Sequence, residues 1–200
     1  MKVIVLAHPR SGTRYVAHCF RCGGWDVQHE QVGSDGISSW MWAAPAGEKV
    51  PWGASRRETD SADVVLHVMR EPGAAISSIA YTEGASEPWR SRWIVIPKDA
   101  GIVERAIWSY YGWNALIGQR SAPTHRAQLE QIELAVARIV GGADPLFMAM
   151  HPRAEASRHP RPHPSFCMAE IATMTWKYDK TAGLLKAIGN EYGLFRVKEN

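Results

Sequence analysis

An arginine, two hydroxyl residues and a glycine stand shortly after an apolar segment near the start of the chain. The run Val3 to Ala7 begins with β-branched residues, as is typical of a strand buried on both faces. Pro9 ends it, because proline has no N–H to offer a sheet. Residues Arg10 to Thr13 then lead into a helix predicted from Thr13 to Arg21. Backbone N–H groups, the positive end of a helix dipole and one cation together predict a phosphate-binding turn.

Two common phosphate-binding loops are excluded by the spacing of this turn. The nucleotide-triphosphatase loop G-x-x-x-x-G-K-[ST] needs an earlier glycine and a lysine after the last one. Here the first glycine is missing, and Gly12 is followed by Thr13-Arg14. The dinucleotide loop G-x-G-x-x-G is absent from the turn as well. The turn must therefore hold its anion in another way.

A second candidate anion ligand stands at the end of another predicted strand. The segment Asp63 to Met69 is a predicted strand, and Arg70-Glu71-Pro72 follows it. A helix predicted from Ala74 to Tyr81 then carries Ser78, eight residues after Arg70. An arginine at the carboxyl end of a strand can hold a phosphate with two parallel hydrogen bonds, and ligands of parallel sheets bind at that edge. The alternative is that Arg70 caps a surface loop and Ser78 is an ordinary helix-face serine.

Together these two segments resemble sulfotransferases that use 3′-phosphoadenosine 5′-phosphosulfate (PAPS). Pro9-Arg10-Ser11-Gly12-Thr13 resembles the 5′-phosphosulfate loop of that family, usually Pro-Lys/Arg-Ser-Gly-Thr-Thr. The segment Val64 to Pro72 with Ser78 resembles its 3′-phosphate motif, and the resemblance covers mainly the first 80 residues. It implies an α/β fold of P-loop type: a three-layer sandwich with a central parallel sheet, in one domain over residues 1–200.

The resemblance also implies a role for each matching residue. The 5′-phosphate and the sulfuryl group of PAPS would be held by the loop residues Arg10, Ser11, Gly12, Thr13 and Arg14. Arg70 and Ser78 would bind the 3′-phosphate, and the product would be adenosine 3′,5′-bisphosphate (PAP). No metal is implied, because Arg10 and the loop amides would take the part that magnesium has in kinases. The acceptor would be a hydroxyl or amine of a small molecule or glycan.

Two adjacent residues compete for the role of general base. A strand predicted from Trp25 to Glu30 ends in His29-Glu30, and some sulfotransferases place a glutamate at this edge. Glu30 is the preferred base, mainly because of this resemblance, and burial that raised its carboxyl pKa toward neutrality would suit the role. His29 is the rival, because its ordinary pKa of about 6.5 already suits base chemistry. Strand alternation predicts that the two side chains point to opposite faces of the sheet. An exposed strand-end charge remains a third interpretation of Glu30.

Two other functions stay open at this point. The first is an ATP- and magnesium-dependent small-molecule kinase of related fold, which the missing Gly-Lys-Ser/Thr disfavours. The second is a non-catalytic nucleotide-binding relative, because the family's Gly-rich loop near the C-terminus has no match. The basic segment His151 to Ser165 either replaces that loop or is a solvated loop. His159, His163 and Cys167 have a spacing that a metal could use, but the prolines between them make a helical register implausible.

The composition is that of an ordinary globular protein. The chain has 200 residues, 46% hydrophobic and 22% charged, with a net charge of +3. That charge is too small to indicate a nucleic-acid partner, which calls for a clustered basic face. The odd number of three cysteines and the lack of a signal-like or membrane-spanning apolar run predict a reducing, cytoplasmic setting. The nine tryptophans, among them Trp40, Trp42, Trp52, Trp89 and Trp93, either line an acceptor pocket or pack the core.

The remaining segments are predicted as follows. Gln31 to Thr59 is a long irregular loop, and Trp93 to Pro97 is a strand or an extended loop. Helices are predicted from the apolar periodicity over Ile102 to Ile117, Leu129 to Val140 and Thr181 to Tyr192.

Overall fold

Five parallel strands form a sheet in the part of the chain that the structure describes. The computed structural model describes residues 1–45, 47–50, 61–142, 166, 170 and 171. The strands are β1 (Val3–Ala7), β2 (Val27–His29), β3 (Gly36–Ser38), β4 (Val64–Met69) and β5 (His125–Gln128). Their order in the sheet is β2-β3-β1-β4-β5, and every neighbouring pair is parallel. The α/β class and the parallel sheet that the sequence predicts are thus observed, in a form compatible with Rossmann-like and P-loop-like sandwiches.

Five α-helices accompany the strands in the described part of the chain. They are α1 (Thr13–Cys22), α2 (Pro72–Thr82), α3 (Glu87–Arg90), α4 (Ile102–Arg120) and α5 (Ile132–Val140). Short 3₁₀ turns cover Met41–Ala43, Gly84–Ser86 and Leu129–Gln131. Within these residues, no helix combines the length and apolar character that a membrane crossing requires.

The chain divides into two compact units. The described residues of the first are 1–45, 47–50, 61–71 and 116–142, and those of the second are 72–115, 166, 170 and 171. The first unit holds the sheet, with α1 and α5 packed on one face of it. Its core alternates along β1 and β4, where Val3, Val5, Ala7, Val64, Leu66 and Val68 meet Val16 and Phe20 of α1 and Ile132 and Val136 of α5.

The second unit has an apolar core of its own. Ala75, Ile76 and Ile79 of α2 cluster with the α4 residues Ala106, Ile107, Tyr110 and Tyr111. Arg90 is fully buried here; its Nε donates to the Ser109 Oγ at 2.9 Å, and Nη1 lies 3.6 Å from the Glu83 carboxylate. Burial lowers the pKa of Arg90 to about 10, so the guanidinium is still charged at pH 7. Whether the whole chain is one domain stays a prediction.

The segment predicted as an irregular loop contains a strand, and that prediction was wrong for residues 36–38. β3 lies between β2 and β1, with Ile37 opposite both Gln28 and Ile4. A connection of only six residues joins two parallel strands here because each strand is three residues long. Gly36 allows β3 to pair closely with β1: a Cβ on it would lie 1.9 Å from the Val3 carbonyl oxygen, and its φ of +146° is open only to glycine.

Other boundaries differ by smaller amounts. The predicted strand Trp25 to Glu30 is reduced to Val27–His29, and residues 93–97 form no strand. The first three residues of the helix predicted from Leu129 form a 3₁₀ turn instead. The helix predicted over Thr181 to Tyr192 and the loop predicted over His151 to Ser165 lie outside the described residues.

Candidate functional site

The order of the strands marks where a ligand would bind. From β1 the chain continues through α1 to β2 on one side, whereas from β4 it continues to β5 on the other. β1 and β4 are neighbours, paired from Val3 opposite Val64 to Ala7 opposite Val68. In open parallel sheets, ligands bind at the carboxyl ends of two such strands, where the connections diverge. Arg10 follows one of these strands and Arg70 follows the other.

The loop after β1 turns sharply before α1 begins. The Ser11 N–H donates to the His8 carbonyl at 3.0 Å, and both Arg10 and Gly12 have left-handed backbones, with φ of 72° and 81°. For an arginine this conformation costs roughly 1–3 kcal/mol, and such strain is concentrated at functional sites. Among the described residues three non-glycines have positive φ, and two of them are Arg10 and Glu30, the predicted catalytic pair.

The N-terminus of α1 is suited to an anion. Gly12 is its N-cap, no side chain caps it, and its first turn contains no acidic residue. The first N–H groups of a helix have no acceptor within the helix, so they and the helix dipole are available to a ligand. Ser11 is fully buried, and its Oγ has no hydrogen-bond partner among the described residues. A buried hydroxyl without a partner is costly, which favours a ligand as the missing one.

Arg70 and Arg10 come together in the structure. Arg70 Nη1 donates to the Arg10 carbonyl oxygen at 3.1 Å, across sixty positions of sequence. Both side chains are half-buried, and Arg14 of the first helical turn is exposed. The two sequence segments singled out as anion ligands therefore meet at the switch point between β1 and β4.

Ser78 occupies a different environment. It lies in α2 of the second unit, is 1% exposed, and its Oγ is 3.5 Å from Thr82 Oγ1. Its assignment to the 3′-phosphate stays a prediction.

His29 and Glu30 approach each other, so the prediction that they point to opposite faces was wrong. Glu30 lies just beyond β2, and its φ of 57° breaks the extended geometry on which alternation depends. As a result, His29 Nε2 lies 3.6 Å from Glu30 Oε1. The same Nε2 is 3.1 Å from Thr13 Oγ1. The end of β2 is thereby linked to the start of α1.

The pKa of His29 bears on the choice between the two candidate bases. Burial, together with the cations of Arg14 and Arg21, lowers the pKa of His29 to about 4. The ring is therefore neutral at pH 7, and its contact with Glu30 is polar rather than an ion pair. A group with so low a pKa is a weak proton acceptor at neutral pH, which disfavours His29 as the base.

Two serines that the sequence did not identify as site residues complete the arrangement. The Ser38 Oγ donates to the Thr13 carbonyl at 2.7 Å, and the Ser39 Oγ donates to Glu30 Oε2. Both serines are fully buried and follow from the placement of β3. A strand of three residues has too few positions to show a period, so no sequence signal indicated them.

The environments of the described tryptophans favour a packing role over an acceptor pocket. Trp40 and Trp42 are 7% and 4% exposed. In the second unit, the Trp89 ring lies 5.7 Å from that of Trp113 and 6.4 Å from that of Trp93. Trp52 lies outside the described residues.

The fold and these contacts define an α/β protein with a candidate oxyanion site at the carboxyl edge of a parallel sheet. No protein-family model matches the chain, nor does any curated protein or solved structure. Among the described residues, no three His, Cys, Asp or Glu side chains form a group that could hold a metal. The independence from metal stays a prediction.

Proposed function

We propose that this protein is a sulfotransferase that moves a sulfuryl group from PAPS to a hydroxyl or amine acceptor. The observation that supports it most is the hydrogen bond from Arg70 Nη1 to the Arg10 carbonyl. It joins the two segments that resemble the 5′-phosphosulfate loop and the 3′-phosphate motif. A three-layer P-loop sulfotransferase fold is part of the same proposal.

The residues present fit a donor with several anionic groups. The uncapped start of α1 and the unpartnered Ser11 hydroxyl offer hydrogen-bond donors, and Arg10, Arg14 and Arg70 offer positive charge. The loop from Ser11 to Arg14 would hold the 5′-phosphate and sulfuryl oxygens, with Thr13 adding a hydroxyl. Arg70 would bind the 3′-phosphate, and the same role for Ser78 stays a prediction from the sequence. The backbone amides at the start of α1 are held by the helix before a ligand arrives, so little reorganisation opposes charge stabilisation there.

The residues assigned to catalysis have distinct roles. PAPS supplies the sulfuryl group: the acceptor oxygen or nitrogen bonds to sulfur as the bond from sulfur to the 5′-phosphate oxygen breaks, and PAP leaves. Arg10 and the loop amides would stabilise the charge that develops on that phosphate. Glu30 would take the acceptor proton, with Ser39 holding Oε2 so that the carboxylate keeps one orientation.

Titration calorimetry with PAP and with ATP–Mg²⁺ tests the donor. PAP is expected to bind without metal and more tightly than ATP–Mg²⁺, because Arg70 recognises a phosphate that ATP lacks. Tight binding of ATP–Mg²⁺ with no binding of PAP would overturn the proposal in favour of a kinase.

Transfer of ³⁵S-sulfate from PAPS to a panel of phenols, alcohols, amines and glycans tests the reaction. Labelled product from at least one acceptor is expected. PAP binding with no transfer to any acceptor would instead favour a non-catalytic nucleotide-binding protein.

A further inference from the structure

One ring nitrogen stands between the anion-binding loop and the proposed base. His29 Nε2 is 3.1 Å from Thr13 Oγ1 and 3.6 Å from Glu30 Oε1. Thr13 is the first residue of α1 and one of the loop residues assigned to the anion. The state of this one nitrogen therefore affects the hydroxyl on one side and the carboxylate on the other.

Both neighbours of His29 are anchored at the carboxyl end of β3, by Ser38 within the strand and by Ser39 directly after it. Ser38 fixes the Thr13 backbone through its carbonyl at 2.7 Å, and Ser39 donates to the other carboxylate oxygen of Glu30. The Ser39 Oγ also accepts the Met41 N–H at 3.1 Å. Because Thr13 and Glu30 are held independently of His29, the imidazole has fixed partners on both sides.

The proton of the neutral ring can be on only one of its two nitrogens. With the proton on Nδ1, Nε2 accepts the hydrogen bond of the Thr13 hydroxyl, and the partial negative charge on Nε2 lies near the Glu30 carboxylate. Thr13 would then present only lone pairs to a bound anion. With the proton on Nε2, the ring donates to Thr13 Oγ1, and the partial positive charge of this N–H lies near the Glu30 carboxylate. Thr13 is then left with its own proton to donate.

We propose that His29 is a positioning residue whose Nε2–H turns the Thr13 hydroxyl into a hydrogen-bond donor for an oxyanion at the loop. The role rests on the proposed function, because the oxyanion is the phosphate or sulfuryl group assigned to residues 10–14. The low pKa of His29 supports it, since a neutral ring is required. His29 then acts through Thr13 and touches neither donor nor acceptor.

Two substitutions at position 29 distinguish the contribution of Nε2 from that of Nδ1. In His29→Gln the side-chain amide can place an N–H near the Nε2 position, whereas the shorter His29→Asn mimics Nδ1 and leaves Thr13 without a donor. PAP affinity by calorimetry is expected to fall about tenfold or more in His29→Asn and to stay within about threefold in His29→Gln. Urea unfolding of both variants verifies that they are compared as folded proteins.

A double-mutant cycle with Thr13→Val tests whether His29 affects PAP binding through the Thr13 hydroxyl. If His29 acts through the hydroxyl, Thr13→Val combined with His29→Asn loses no more PAP affinity than Thr13→Val alone. Additive losses would overturn the role.

The tautomer can be read directly from ¹⁵N shifts of the His29 imidazole in the whole protein at pH 7, with and without PAP. The Nε2–H form is expected in both states. An Nδ1–H ring in the PAP complex, or equal losses in the two His29 variants, would overturn the role while the wild-type binding of PAP still supports the proposed function. No PAP binding by the wild-type protein would overturn the proposed function, and the role with it.

Discussion

Arg70 Nη1 lies 3.1 Å from the carbonyl oxygen of Arg10, so the end of β4 supports the loop that follows β1. The arginine is thus both a cation beside the candidate anion site and a mechanical support of the strained loop. A guanidinium presents its donors in a rigid fork, which lysine cannot reproduce. These two parts of the role lead to different expectations for alanine and lysine.

Replacing Arg70 with alanine is expected to weaken PAP binding by at least tenfold, because a charge-assisted phosphate contact and the loop support are both lost. Arg70→Lys keeps the charge and should recover only part of the affinity. Calorimetry with PAP measures both, and Arg138→Ala, an exposed arginine on α5, is the matched control. Equal affinity in Arg70→Ala and the control would remove Arg70 from the site.

Ser11 and Ser38 are both fully buried serines, but they differ in their partners. The Ser11 Oγ has none among the described residues, so Ser11→Ala should leave the free energy of unfolding unchanged or slightly raised. The same variant should bind PAP about five- to tenfold more weakly, since the proposed function makes the bound anion the missing partner of this hydroxyl.

Ser38→Ala gives the contrasting result. It removes the hydrogen bond to the Thr13 carbonyl at 2.7 Å and should cost about 1 kcal/mol of stability. Urea unfolding and PAP titration of both variants provide the comparison. A Ser11→Ala protein that is less stable than Ser38→Ala, with unchanged PAP affinity, would show that Ser11 has only a structural role.

Glu30→Gln tests whether Glu30 is the general base. The amide keeps a side-chain oxygen for the Ser39 hydroxyl but cannot take the acceptor proton, so PAP affinity should be retained while turnover falls roughly 10²–10⁴-fold. Asp99→Asn, an exposed carboxylate in the second unit, is the control and should retain full turnover. Turnover comparable to wild type in Glu30→Gln would move the base to another residue.

His29 gives the stability of the protein a predicted pH dependence. Its pKa is about 4 when folded and about 6.5 when unfolded, so between these values the unfolded chain holds one more proton. The free energy of unfolding should therefore fall as the pH drops from about 6.5 toward 4. His29→Gln removes this contribution, and its stability should fall less steeply.

Urea unfolding midpoints at several pH values measure the effect. The other titrating groups are common to both proteins. The difference between the two curves therefore gives the pH-dependent stability that comes from His29 and its interactions with Glu30, Arg14 and Arg21. Parallel curves for wild type and His29→Gln would mean that the folded and unfolded pKa values of His29 are the same.

The strands and helices that the sequence predicted correctly are those with a strong local pattern. Val3 to Ala7 is a continuous apolar run and its strand has the predicted bounds, while Thr13, after the flexible Gly12, starts α1 as expected. Arg70 could be placed at a sheet edge because a strand precedes it directly. The α/β class follows from the same alternation of strand and helix signals.

The parts that could not be predicted depend on contacts between distant residues. β3 is recognisable only through its pairing with Val27 to His29 and with Val3 to Val5, since Gly36-Ile37-Ser38 is too short to show a period. The meeting of His29 and Glu30 depends on one positive φ, which no propensity assigns to a glutamate. The contacts of Thr13 and Glu30 with their neighbours could not be predicted from the sequence for the same two reasons.

Gly36 is the position where that hidden strand is most sensitive to substitution. A Cβ would lie 1.9 Å from the Val3 carbonyl oxygen, and the φ of +146° is unfavourable for alanine, so Gly36→Ala must push β3 away from β1. We expect a loss of about 3 kcal/mol or more in the free energy of unfolding. PAP affinity should fall as well, because Ser38 and Ser39 move with the strand. Gly84→Ala is the control: a Cβ there meets nothing within 4 Å, and its effect should stay within about 0.5 kcal/mol. If urea unfolding gave the two variants the same stability, β3 would not pack against β1 as described.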